Sequence, residues 1–128
     1  MDLLLTRGSK KGERVFGTLC VDGEFACFVA ESGKLVPEGK YGMYMYIICD
    51  RYIDYEKFPW SEPYLGQIPT VAGFDSAICA DGSNAGEYSD IVVVDDNGDP
   101  DENSFRLLMR KYIGPAKETG ETAKITIK

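Results

Sequence analysis

The sequence predicts a mainly β fold: a single domain over residues 1–128, built as an antiparallel barrel or sandwich, with one helix in the C-terminal half (about 100–113) and a closing strand. Three observations carry this. Apolar runs of strand length alternate with turns rich in Gly, Asn and Asp. Asp22-Gly23, between two such runs, is a two-residue hairpin signal. Asp99-Pro100-Asp101-Glu102 is a helix start, with Asp99 as N-cap, Pro100 at the first helical position and Glu102 closing a capping box. At 128 residues and 44% hydrophobic content, the chain can bury roughly two-thirds of its unfolded surface in one core.

Taken in order, Asp2 to Arg7 reads as a first strand, turned by Gly8-Ser9-Lys10-Lys11-Gly12. Val15 to Val21 and Glu24 to Ala30 form the hairpin, and its turn predicts pairing of Val21 with Glu24, Cys20 with Phe25 and Thr18 with Cys27. One face then holds Phe16, Thr18, Cys20, Phe25, Cys27 and Val29, the other Val15, Leu19, Val21, Ala26 and Phe28. Both faces are apolar, which predicts cover on both sides. Tyr41 to Cys49 is a further strand, followed by a long aromatic loop from Asp50 to Gly66. Phe105, Leu108, Met109 and Tyr112 share one helical face, Gly114-Pro115 stops the helix, and Ala123 to Lys128 closes the fold.

The stretch from Ala72 to Val94 organises the chain: a short buried strand, a polar Gly/Asn/Ser loop, and the apolar strand Ile91 to Val94. A loop held between two core strands is a rigid place for a site. The candidate site region is Ala80, Asp81, Gly82, Asn84, Glu87, Asp90 and Ile91.

The order of elements, with Pro37-Glu38-Gly39-Lys40-Tyr41, Gly73-Phe74, the Gly/Asn loop, the apolar strand and the closing helix and strand, resembles a domain-of-unknown-function family of short proteins encoded by gut bacteria and phages. Its usual members carry Ile-His-Pro-Gly-Asn followed by Gly-Cys-Ile, a pair similar to the His and Cys signature of the L,D-transpeptidases. There the Cys attacks a peptidoglycan peptide. On this sequence the His position falls at Ala80 and the Cys position at Ile91, while Gly82 and Asn84 keep the character of the loop. The resemblance therefore implies a site without its reactive pair, with Ala80 and Ile91 close together at the mouth of a shallow depression.

The residues read alone point the same way. The chain has no histidine, so Cys-His and Ser-His-Asp arrangements are excluded. Cys20, Cys27, Cys49 and Cys79 lie in apolar strands without close-pair spacing, which predicts four free, buried thiols and no zinc. Asp95, Asn97 and Asp99 alternate as in a calcium loop, but Pro100 and Arg106 stand where glycine and glutamate are required. Asp75, Asp81, Glu87 and Asp90 surround the organising loop as candidate acid/base carboxylates, and Cys79 is a candidate thiol. Tyr52, Tyr55, Trp60 and Tyr64 are candidate binding aromatics that, with Arg51 and Lys57, would line a groove for a peptide or glycan; the alternative is that the loop packs its own rings over one open end of the sheet.

A net charge of -7 argues against nucleic acid and anionic membranes. Leu3-Leu4-Leu5 is too short for a signal peptide, so a cytoplasmic location is expected unless a signal-independent route exports the protein. The reading that combines these is a non-catalytic binding or structural module with a peptide, glycan or protein ligand and no cofactor. The alternative is a hydrolase using loop carboxylates or Cys79, acting on cell-wall peptide or glycan.

Overall fold

The strands are β1 (Asp2–Lys11), β2 (Arg14–Val21), β3 (Glu24–Ser32), β4 (Gly39–Ile48), β5 (Gln67–Val71), β6 (Ser76–Cys79), β7 (Ile91–Val94) and β8 (Ala123–Ile127). They close a barrel in the order β1-β2-β3-β7-β6-β5-β4-β8, with β8 returning to β1. The computed structural model describes residues 1–64, 66–81 and 87–128, with backbone alone at 62–64. Neighbours are antiparallel except β1 with β8 and β6 with β7.

A barrel of this size has an interior just wide enough for side chains to fill. The register shows which ones fill it. Leu3 faces Val21 and Ile125, Leu5 faces Leu19 and Ile127, Val29 faces Val93, and Ile78 faces Ile91. Every one of these is buried, so the inward faces of β1, β2, β3, β6, β7 and β8 meet in one core. Each such side chain contributes about 1.5–3 kcal/mol of burial free energy. Gly17 is required where β1 crosses β2, because an added Cβ would overlap the Thr6 carbonyl oxygen.

The first hairpin departs from the alternation that the sequence predicts. Val21 pairs with Glu24 and Cys20 with Phe25 as expected, but a bulge follows, and Leu19 pairs with Cys27 and Thr18 with Phe28. One extra residue on β3 reverses the faces beyond it. Cys27 and Val29 thereby turn inward with Leu19, while Phe25 and Phe28 face out and remain 54% and 41% exposed. The hairpin is therefore not covered on both sides. Cys20 and Cys27 now occupy opposite faces, and the four cysteines are free. In the β1–β2 hairpin, Gly8-Ser9 is a bulge within the strand, and the turn itself is Gly12-Glu13.

The helical segment also differs at both ends. Asp101, not Asp99, is the N-cap of α1 (Glu102–Leu108), and its carboxylate accepts from the Ser104 backbone N–H at 3.0 Å. The Ser104 hydroxyl and backbone bonds hold the Asp101 carboxyl below its usual pKa. Gly114-Pro115 does not stop the helix: a π turn (Met109–Ile113) leads into α2 (Gly114–Glu118). A wider turn reduces the clash between a proline ring and the preceding carbonyls, and Pro115 has no N–H to leave unpaired. The true stop is Gly120 at φ 71°, with Gly120 and Glu121 N–H returning to the Lys117 and Ala116 carbonyls. The extra residue in the π turn moves the buried face to Ile113 and leaves Tyr112 half-buried.

Phe105→Ala or Leu108→Ala is expected to destabilise the fold by about 2–5 kcal/mol in urea unfolding, since both side chains are core. Glu118→Ala, on the exposed face, should stay within about 0.5 kcal/mol. Equal losses at both kinds of site would refute this placement of the helix.

Candidate functional site

The polar centre of the molecule lies where the chain enters β7. In the parallel β6–β7 pair Ile78 faces Ile91, so the residue before each, Ala77 and Asp90, stand side by side. Asp90 is wholly buried. Its Oδ1 accepts from Ala77 N–H at 3.1 Å and from Arg51 Nη2 at 3.1 Å. Its Oδ2 accepts from Arg51 Nη1 at 2.7 Å and from the Tyr52 hydroxyl at 2.5 Å. A carboxylate offers about four acceptor positions, and here all are occupied. Arg51 in addition donates to the Asp75 carbonyl at 3.2 Å.

Arg51 and Tyr52 belong to a short 3-10 helix (Asp50–Tyr52) that follows β4. Burial works against the Arg51 charge, and the hydrogen bond and charge of Asp90 outweigh it, so the guanidinium pKa is raised. Burial, with the neighbouring Cys79 and Asp90, raises the Tyr52 phenol. Cys79 Sγ lies 3.5 Å from that phenol oxygen and is wholly buried. Burial and the Asp90 charge raise its pKa, so the thiol stays neutral near neutral pH. The approach to β7 is held as firmly. Ser89 N–H donates to the Lys34 carbonyl at 2.7 Å, its hydroxyl accepts from Ser32 N–H at 2.9 Å, and Ser76 donates to its carbonyl at 2.6 Å.

The other candidate carboxylates lie apart from this centre. Asp75 is 73% exposed, 4.0 Å from Arg51. Glu87 is exposed and pairs with Lys34 at 2.8 Å, which raises the Lys34 pKa. Asp81 is exposed as well, and it lines a small depression different from the one that Glu87 lines. Gly82 and Asn84 lie outside the described residues. Ala80 and Ile91 are both wholly buried in the apolar core, so no depression opens at them. The expectation of a mouth between them fails because β7 turns Ile91 toward Ile78 and the interior.

Two of the four binding aromatics are corrected too. Tyr52 and Trp60 are wholly buried and line no groove. Tyr52 packs on Phe58 and on Trp60 with ring centroids 4.9 Å apart in each pair, and Trp60 meets Phe105 of α1 at 5.0 Å. Tyr55 is half-buried, and the side chain of Tyr64 lies outside the described residues. Rings of this size gain more from the core than from solvent, and each edge-on pair adds about 0.5–1.5 kcal/mol.

Arg51 is the residue of this polar centre that the sequence places only beside the aromatics. Its partner Asp90 is 39 positions away, and no local pattern announces such a pair. Among the described residues no group of three or more His, Cys, Asp or Glu could hold a metal ion, and no helix is long and apolar enough to cross a membrane. No family model, curated protein or solved structure matches the chain.

Two predictions come from this geometry. Arg51→Ala leaves the buried Asp90 carboxylate without its cation and should cost about 3–5 kcal/mol, whereas the apolar pair Arg51→Met with Asp90→Leu should recover much of that loss in urea unfolding. A single-variant cost below about 1 kcal/mol would show that the pair is not buried in solution.

The second concerns alkali. Burial, Asp101 and Cys20 push the Cys27 thiol up to about 12, and Cys79 and Tyr52 shift in the same direction. The unfolded chain ionises thiols near 9.0 while the folded chain keeps them neutral. Their contribution is therefore complete below that pH and is lost as pH rises through it toward the folded values. The thermal midpoint should fall steadily above about pH 9, and Cys79→Ala should flatten the fall. A midpoint that holds or rises over that range would contradict the assignment.

Proposed function

We propose that the chain is a non-catalytic binding or structural module that presents a peptide, glycan or protein ligand with a rigid surface. The observation that carries this is the saturation of Asp90. A general base needs a free acceptor within hydrogen-bond reach of the proton it removes. Every acceptor position of Asp90 is already taken by Arg51, Tyr52 or Ala77. Cys79, the nearest thiol, is buried and shifted away from the thiolate form.

The resemblance to the L,D-transpeptidase-like family fits the same reading. Ala80 and Ile91, at the positions of its His and Cys, are packed in the core. On this reading the chain is a degenerate relative of that gut-bacterial and phage-encoded family, acting in the cytoplasm.

The test is incubation of the purified protein with peptidoglycan fragments, followed by mass spectrometry, alongside iodoacetamide labelling and peptide mapping. Unchanged fragments are expected, with Cys79 unlabelled in the native protein and labelled in denaturant. Turnover that disappears in Cys79→Ala or Asp90→Asn would overturn the proposal.

A further inference from the structure

Among the described residues, the barrel wall is covered on one side and bare on the other. The helix packs toward β3 and β7, and the aromatic segment reaches β5 and the Ala77–Cys79 face of β6. Across β2-β1-β8-β4 the outward positions form ladders instead. Cys20, Leu4, Thr126 and Lys40 make one row. Asp2, Lys124 and Gly42 make the next.

A concavity of about 810 Å³ lies over these rows, rimmed by Lys40, Lys124 and Lys128 with Leu4, Cys20 and Gly42 among its lining. The three lysines are exposed, and none forms an ion pair among the described residues, unlike Lys34 and Lys111. Among the described residues, Asp2 is the one acidic residue of the lining. A chain of net charge -7 thus carries a local positive island.

The size of the island selects its ligand. Screening at physiological salt limits charge interactions to about 8 Å, so the acidic surroundings weakly oppose a short anion that fits within the island and repel a long polyanion that overruns it. Lys124 and Thr126 of β8 and Lys128 just past its end alternate along the chain, about 13 Å from end to end, all three lining the concavity, and Lys40 pairs beside Thr126. An extended peptide has the same repeat, with every second side chain on one side.

We propose that this groove binds a short acidic segment of a partner protein in extended form, its alternate carboxylates taken by Lys124, Lys40 and Lys128 and its backbone lying over Leu4 and Gly42. This rests on the reading of the chain as a binding module and names the ligand class.

The experiment is fluorescence anisotropy with fluorescein-labelled Glu-Ser-Glu-Ser-Glu, its Gln-Ser-Gln-Ser-Gln analogue and a single-stranded thymidine oligonucleotide. The acidic peptide should bind, weaken as salt rises, and lose roughly tenfold affinity on Lys40→Gln with Lys124→Gln and Lys128→Gln, while Lys10→Gln with Lys11→Gln leaves it unchanged. Thermal melts of each variant confirm that these exposed changes leave the fold intact. No binding by the peptide, equal binding by both variants, or tighter binding of the oligonucleotide overturns the proposal. Lysine-dependent self-association in sedimentation would also overturn it, by giving the groove to a second copy. Failure here, with peptidoglycan fragments still unchanged, would leave the non-catalytic reading standing.

Discussion

The ion pair of Arg51 with Asp90, closed by the Tyr52 hydroxyl, is the constraint on which the covered half of the molecule depends. It joins the turn after β4 to the entrance of β7 and fixes Tyr52 against β6. From Tyr52 the packing runs on through Phe58 and Trp60 to Phe105, so one polar contact orients the whole aromatic segment and the helix above it. Energetically the two parts differ. A buried pair roughly breaks even against an apolar replacement, because the cost of dehydrating two charges offsets their attraction. The rings supply net burial; the pair supplies position.

A second bidentate pair repeats the device on the neighbouring strand. Arg7 Nε and Nη2 meet the two carboxylate oxygens of buried Glu31 at 3.0 Å each, and Nη2 also caps the Val36 carbonyl at 2.7 Å. Glu31 is near the end of β3, and Asp90 precedes the start of β7, its antiparallel partner, where Ala30 faces Val92. Both buried carboxylates therefore sit at one end of the same strand pair. Each is held by an arginine from a different part of the chain. That end of the barrel is consequently polar, and a slip of β7 by one residue would strand a charge in the core.

Much of the fold was legible because it follows local rules. Asp22-Gly23 announced its hairpin, and Ile91 to Val94 was readable as a core strand from composition alone. What escaped was each place where one residue is added to a regular repeat. The bulge after Leu19 reversed the faces of β3, and the π turn carried the helix past Gly114-Pro115. Periodicity assumes an unbroken repeat and is blind to both. The candidate site was legible as a location and not as an arrangement. Asp90 and Glu87 look alike in sequence, three positions apart beside one loop, yet one is wholly buried and the other exposed. The difference comes from Arg51, which lies far along the chain, so no local pattern contains it. The same holds for Tyr52 and Trp60, whose burial depends on the helix that Phe105 brings over them.

Perturbed titration usually marks an active site, because catalysis needs groups tuned toward the working pH. The direction of the shift decides whether it does so here. A nucleophilic thiol is made by lowering its pKa, and a general acid or base by bringing its pKa near neutrality. Cys27, Cys79 and Tyr52 all move the other way, and burial is the first cause in each case. The same burial that makes them inert also packs β3, β6 and the aromatic segment. For these three groups the perturbation is thus a by-product of packing. Chemistry that reaches a ligand has to come from groups still facing water. On the bare wall those are lysines that form no ion pair among the described residues, above a floor that includes Leu4, Cys20 and Gly42, and they are the charges there that a ligand can reach.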